Sequence, residues 1–538
     1  MRLPVMAYSD GIGKSVQTAF GGYNHTRQAR DGELWDMMNL TADYTGLLAT
    51  RRRRRLAETI AEPGGVGSLD GLYWVSGDGF FYKGERKGTV TKGEKIFAGM
   101  GSRVIIFPDK IVYDTKADTF ENLEAEYTSG AGKTTFTNGK LFEEDAEANT
   151  ITVEGANFND LFKKGDAVTI SGCTKHEENN KTPIIREISE DGSSLIFYEY
   201  TFTLDGDPDK PQPYTEPGAI TFKRAVPDMD WICVNENRLW GCKGDDIFAS
   251  KLGDPKNFNV FDGLASDSYS VPSGSAGEFT GCISYLGYPC FFKEDKIFKV
   301  YGSRPQNYEL MGSATMGVKA GCGRSLAVAA EVLFYVARNG PTAYSGGIPS
   351  FIGEAFGMEE WSDAVAGSDG LKYYVSMADG AGERHLFCYD SRKGVWMRED
   401  ETDAMGFAME EGLHMLTADG ELWRLDGGGT GQEEGPVNWY AEFADFTEGS
   451  PDAKGYSKLQ FRMELEAGAS ARVQIQYDSS GLWETAGETM VERKRTLLLP
   501  VIPRRADHYR IRLEGEGACT IFGMARSYYG GSDHRTWR

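Results

Sequence analysis

Trp231-Ile-Cys-Val, Arg238-Leu-Trp-Gly and Asp246-Ile-Phe-Ala-Ser follow one another in quick succession, separated only by turn residues. Short runs rich in aromatic and β-branched side chains, bounded by Gly, Asn and Asp, read as the strands of an antiparallel meander. The plan returns in Gly281-Cys-Ile-Ser-Tyr with Pro289-Cys-Phe-Phe and Lys296-Ile-Phe-Lys-Val-Tyr, and in Val332-Leu-Phe-Tyr-Val with Pro341-Thr-Ala-Tyr. It returns again in Lys372-Tyr-Tyr-Val-Ser with His385-Leu-Phe-Cys-Tyr, and in Leu413-His-Met-Leu with Glu421-Leu-Trp-Arg-Leu. Two earlier copies start at Leu72-Tyr-Trp-Val and at Ile96-Phe-Ala. Units of three or four strands at a spacing of about 40 residues have the period of a β-propeller blade, and the series predicts roughly seven of them.

Outward from this series the texture changes three times. Residues 1–66 read as an irregular N-terminal arm containing Gly21-Gly22 and five consecutive arginines, Arg51 to Arg55. Residues 67–125 hold the first two blades. Residues 126–223 interrupt the series with Leu161-Phe-Lys-Lys-Gly-Asp-Ala-Val-Thr-Ile, a Gly-Asp turn feeding an alternating run, and predict an inserted small β-barrel. The remaining blades occupy 224–430. Residues 431–538 carry longer alternating strands, among them Ser457-Lys-Leu-Gln-Phe-Arg-Met-Glu-Leu and Ala471-Arg-Val-Gln-Ile-Gln-Tyr. Period-two alternation of that length gives one buried and one solvated face and predicts a C-terminal β-sandwich. The fold class expected is all-β, with no long amphipathic helix.

The formal net charge is −22, from 58 basic and 80 acidic residues. A chain this acidic repels phosphates, which excludes sequence-reading nucleic-acid binding as its main role. The same sign suits solubility in a large assembly, or a wall past which DNA slides without sticking. The eight cysteines form no C-x-x-C pair and several lie inside apolar runs, the pattern of free thiols in a reducing compartment. No apolar stretch is long enough to cross a membrane, and the opening Met1-Arg-Leu-Pro-Val-Met lacks the apolar core of a secretory signal.

Asn237-Arg-Leu-Trp-Gly, followed by Leu252-Gly-Asp-Pro-Lys-Asn-Phe, resembles a segment of phage tail β-propeller proteins, the packaged-DNA stabilisation and tail-nozzle type and related prophage tail proteins. Phe20-Gly-Gly-Tyr with Asp36-Met-Met-Asn-Leu-Thr-Ala-Asp resembles their opening segment. Asn339-Gly-Pro-Thr-Ala-Tyr-Ser-Gly-Gly and Tyr509-Arg-Ile-Arg-Leu-Glu-Gly fit as well. The resemblance touches most of the chain, but only as short motifs. It implies a structural part of a bacteriophage tail, a nozzle, hub or ring at the DNA exit, made in the bacterial cytoplasm and resident in the virion. The implied partners are further copies of the chain, other tail or portal-adaptor proteins, and transiting DNA bound without sequence specificity. The insert and the C-terminal domain depart from the simplest pattern and leave open a receptor- or glycan-binding part, with aromatic side chains as platforms for sugar rings. A propeller glycosidase acting on host polysaccharide is the third reading.

Arg51, Arg52, Arg53, Arg54 and Arg55 are the interaction candidates: guanidinium groups suit phosphate or an acidic neighbour, and the plainer alternative is local pairing with acids. Asp205-Gly-Asp-Pro-Asp with Glu216 has a calcium-loop spacing, but Lys210 stands where that loop needs glycine and three prolines stiffen it. Asp390-Ser-Arg-Lys-Gly-Val-Trp and Asp478-Ser-Ser-Gly-Leu-Trp read as hairpin turns with an aromatic lid. His385 and His414 read as strand residues. No nucleophile elbow, phosphate loop or zinc-protease motif occurs. The sequence therefore predicts no enzyme activity, no cofactor and no metal.

Overall fold

The computed structural model describes residues 12–26, 29–42, 47–142, 145–198, 201–207, 210–501 and 503–530. The opening stretch read above for a signal lies outside the described residues, as do Pro208 and Asp209 of the acidic loop. The described residues form many small antiparallel sheets and contain no α-helix, only short 3-10 turns. Among the described residues no helix is long and apolar enough to cross a membrane. The chain divides into two compact units, Leu69–Gly317 and Met1–Ser68 together with Val318–Arg538.

The first of these units opens with the meander Leu72–Ser76, Gly79–Tyr82 and Glu85–Thr89. Ile96–Met100, Arg103–Phe107, Ile111–Asp114 and Thr119–Asn122 form the next. Trp231–Asn235, Arg238–Lys243, Asp246–Ala249 and Tyr269–Pro272 form a third, and Gly281–Tyr285, Tyr288–Lys293, Lys296–Tyr301 and Glu309–Ala314 a fourth. Neighbouring meanders pack face to face. Phe80 and Tyr113 share one core, Ile105 and Leu239 the next, and Trp240 and Phe291 the third.

Between the second and third meanders the chain leaves on Ala125–Thr128 and returns on the antiparallel partner Thr221–Arg224. The segment between builds a five-stranded sheet in which Thr134–Phe142 and Asp145–Val153 form the central hairpin. It has its own core of Phe136, Phe158, Phe197 and Phe222.

The second unit repeats the meander plan. Ala327–Ala329, Val332–Ala337, Gly340–Tyr344 and Ser350–Phe351 form one sheet, and Ser362–Ser368, Lys372–Ala378, Arg384–Asp390 and Val395–Asp400 another. In the last, Ala404–Met409, Leu413–Thr417 and Glu421–Arg424 are completed by Arg55–Thr59 from the far end of the chain, with Gln432–Glu433 beyond it.

Two larger sheets share one extensive apolar core in this unit. One has the order Leu34–Met38, Asn438–Phe443, Tyr509–Glu516, Ser470–Tyr477, Glu484–Met490. The other runs Leu40–Thr41, Leu48–Thr50, Cys519–Gly530, Lys454–Leu465, Arg495–Val501, with Gly13–Gln17 also paired to Cys519–Gly530. The segment expected to be an irregular arm thus contributes strands to both. Those strands are short and their partners lie hundreds of residues away, so local alternation could not reveal them.

Asn39 shows how the switch between sheets is made. It sits between Leu34–Met38 and Leu40–Thr41 with φ 57°, a left-handed conformation that Asn tolerates better than most residues. Its amide donates to the Asn438 carbonyl at 2.8 Å and accepts from Arg51 Nε at 2.6 Å. Phe20-Gly-Gly-Tyr marks a second joint. Tyr23 N donates to the Trp396 carbonyl at 2.6 Å, and a Cβ on Gly22 would lie 2.0 Å from that same oxygen.

Candidate functional site

The arginine run is drawn mostly into the fold. Arg54, 5% exposed, donates to Glu399 at 2.8 Å and pairs with Asp400 at 2.8 Å. Arg51 grips Glu434 through both terminal nitrogens at 2.7 and 2.8 Å. Arg55 donates to the carbonyls of Gly427 and Gly431 at 2.8 and 3.0 Å, and Arg53 lies 3.6 Å from Glu433. Arg52 alone of the five is exposed and makes no ion pair among the described residues. The run therefore tethers the N-terminal segment to the end of the strand Val395–Asp400 and to the glycine-rich stretch before the paired sheets.

The two most specific motifs of the resemblance are joints as well. Arg238, 2% exposed, donates to the carbonyls of Ser250 at 2.8 Å and Ala265 at 2.6 Å and also reaches that of Asp267. One guanidinium thereby pins the long loop before Tyr269–Pro272. Arg238→Met leaves those carbonyls unpaired and is expected to cost about 2–3 kcal/mol of stability, read as a lowered denaturant midpoint. In Leu252-Gly-Asp-Pro-Lys-Asn-Phe the working residue is Asn257, 1% exposed. It donates to Asp166 at 2.9 Å and Asp254 at 2.7 Å and accepts from Ala167 N at 3.0 Å, while Asp166 also pairs with Arg224. This network docks the insert on the third meander. Asn257→Ala should destabilise the Leu69–Gly317 unit by about 2 kcal/mol and quicken proteolysis at the insert boundary.

The acidic loop does not converge. Asp205 pairs with Lys175 and with His176 at 2.9 Å, whereas Glu216 is fully buried and accepts from Thr174 N at 2.9 Å. Asp390 binds Arg392 at 2.8 Å. His385 lies 3.1 Å from Asp379, and buried His414 meets the Gly412 carbonyl at 2.9 Å. Asp478, Asp507 and His508 bring their donor atoms within 4.8 Å of one another. His508 is already held by Ser479 at 2.7 Å and by Asp507.

What the motif reading missed is the outer face of the sheet containing Tyr509–Glu516. Alternation sends Ile511 and Leu513 into the core and Arg510, Arg512 and Glu514 outward. Glu442, 5% exposed, accepts from Arg510 at 3.2 Å and Arg512 at 3.0 Å. Arg512 lies 4.6 Å from the Trp483 ring centre and 5.7 Å from that of Tyr440, and Arg510 5.1 Å from that of Trp35. These cation–π contacts hold half-buried rings flat against the face. Tyr440 donates to Asp36 at 2.7 Å, and burial, reinforced by the Asp36 charge, pushes its phenol well above the usual range. At one end a groove of about 760 Å³ is lined by Met38, Asn438, Tyr440, Arg472, Met490 and Glu514. Rings, guanidinium groups and carboxylates alternate across the surface, an arrangement able to stack on a flat apolar face and to hydrogen-bond hydroxyls. The period-two pattern of Tyr509-Arg-Ile-Arg-Leu-Glu-Gly was the signal available; Trp35 gave none, because its neighbours come from the other end of the chain.

No family model and no characterised protein sequence matches this chain. Among solved structures it is similar to Raptor of Chaetomium thermophilum, at 11% identity and a TM-score of 0.32, over 72% of this chain and 30% of that one. A Cry1Da tryptic core variant of Bacillus thuringiensis aligns at 10% identity with a TM-score of 0.15, over 47% of this chain and 50% of that one. Trypanosoma rangeli sialidase aligns at 9% identity with a TM-score of 0.21, over 96% of both chains. The chain thus spans under a third of the length of the Raptor chain, and likenesses this distant assign no family.

Proposed function

We propose that this chain is a structural component of a bacteriophage tail, a roughly seven-bladed β-propeller with an inserted small β-barrel and a terminal β-sandwich. It assembles as a homo-oligomeric ring at the DNA exit and contacts neighbouring virion proteins without carrying out chemistry. The observation that carries this reading is where the resemblance motifs fall: Phe20 to Tyr23, the Asn39 corner, Arg238 and Asn257 all sit at joints between elements. Four of the places that carry the likeness thus hold the scaffold together. Further support comes from the meanders following one another in chain order, and from Arg55–Thr59 completing the last of them, the kind of strand exchange that ties propeller ends together. The net charge of −22 suits a surface past which DNA moves. The test is negative-stain imaging of virions from the source strain, labelled with an antibody to residues 440–538. Label in fixed symmetric positions on the tail is expected; particles that all stay unlabelled would overturn the reading.

The outer face around Arg512 favours a second reading, a tail part that binds host glycan. Saturable binding to purified cell-wall glycan is expected to weaken about tenfold in Trp483→Ala, the worth of one stacked ring. Unchanged binding in that variant removes this reading and leaves the structural one untouched.

A further inference from the structure

All eight cysteines are free thiols, yet three meet in one seam of the Leu69–Gly317 unit. Trp231–Asn235 and Gly281–Tyr285 are the first strands of neighbouring meanders. Ser284 Oγ donates to Asn235 Oδ1 at 3.2 Å, and Asn235 Nδ2 donates to the Gly287 carbonyl at 3.1 Å, so the two strands are aligned side by side. Two residues before that contact, each strand carries a cysteine, Cys233 on one and Cys282 on the other. Residues i and i+2 of a strand share a face, so both thiols enter the same seam. There they share one apolar cluster with Cys242. Trp240, Phe291 and Phe298 pack around them.

We propose that Cys233 and Cys282 form a reversible disulfide in the presence of a low-molecular-weight disulfide oxidant, clamping two neighbouring meanders together. The partly exposed Cys282 is the entry point. Its thiolate attacks the oxidant, one thiol leaves, and a mixed disulfide remains on Cys282. The Cys233 thiolate then attacks the Cys282 sulfur and expels the second thiol. Overall, two protein thiols lose two protons and two electrons, and one oxidant disulfide becomes two thiols. The reaction is slow at neutral pH. Hydrogen bonding to Cys282 and burial push the Cys233 thiol up, and burial does the same to Cys282, so little thiolate is present. A reducing compartment keeps the pair open, and transfer to an oxidising one closes it. The inference does not rest on the tail reading; it needs only the seam.

The experiment incubates the full chain with oxidised glutathione at about pH 9, near where thiols titrate, then alkylates, digests and identifies linked peptides by mass spectrometry. A Cys233–Cys282 peptide is expected, reversed by dithiothreitol, absent in Cys282→Ala and retained in Cys242→Ala. The thermal midpoint of the oxidised protein should rise by roughly 5 °C. Cys282→Ala alters a partly exposed position, and its far-ultraviolet circular dichroism checks that it folds. Full alkylation of all eight cysteines after oxidation, stable glutathione adducts alone, or a link between any other pair would each overturn the proposal.

Discussion

Arg526→Met will lower the stability of the paired-sheet layer by about 3–5 kcal/mol, the usual result of removing one partner from a buried ion pair. Arg526 is 1% exposed and lies at the meeting point of three chain segments. It donates to Glu448 at 2.8 Å, to Asp31 at 2.7 Å and to Ser15 at 3.1 Å, and its guanidinium lies 4.0 Å from the Phe446 ring centre. The Glu448 side chain is only 3% exposed, so without Arg526 it stays charged in an apolar surrounding or must take up a proton. Arg526→Lys should recover little, because a single ammonium cannot hold three separated acceptors in one plane. The double replacement Arg526→Met with Glu448→Leu should recover most of the loss, since it removes the stranded charge as well. Denaturant melts of the four proteins check this, and equal losses in the single and double variants would show that packing, not charge, carries the effect.

How much of this was legible depends on the range of each interaction. The strands around Trp240, Phe291 and Leu386 were visible because a meander is written in consecutive residues, with apolar runs and turn glycines side by side. The break in texture near Ala125 falls at the strand Ala125–Thr128, on which the chain leaves the meander series. The strands at Leu34–Met38 and Arg55–Thr59 were hidden because their partners, Asn438–Phe443 and Glu421–Arg424, lie at the other end of the sequence. The arginine run illustrates the limit for sites. Five adjacent guanidinium groups look like an exposed docking patch, but Glu399, Asp400 and Glu434 reach them only through the fold. The ladder of Trp35, Arg510, Glu442 and Arg512 fails the same way, since it is assembled from three strands of which only one pattern is readable alone.

The run also supplies a test that separates scaffold from docking residue by residue. Arg54→Met is expected to destabilise the unit holding the paired sheets by about 3 kcal/mol, because Glu399 and Asp400 lose the guanidinium that neutralises them. Arg52→Ala should change stability by less than about 0.5 kcal/mol, as exposed substitutions do, so any loss of assembly in that variant reports on a partner. Acid gives an independent reading. Burial pushes the Asp400 carboxyl up, but Arg54 and Arg51 outweigh it and hold it below the usual carboxylate range; burial and Arg51 oppose each other in the same way at Glu434. A carboxyl whose folded pKa is depressed adds stability above its ordinary value near 4 and loses it as pH falls through the folded value. The native protein should therefore hold the Arg51–Arg55 segment in place down to about pH 4 and release it below. In Arg54→Met, burial at Asp400 is opposed only by Arg51 and the Thr402 hydrogen bonds, so release moves to higher pH. Melting temperatures measured across acid pH for the two proteins decide it: parallel curves would mean that Arg54 contributes by packing alone, and a variant curve that falls away earlier would place the charge pair at the hinge between the N-terminal segment and the sheets it completes.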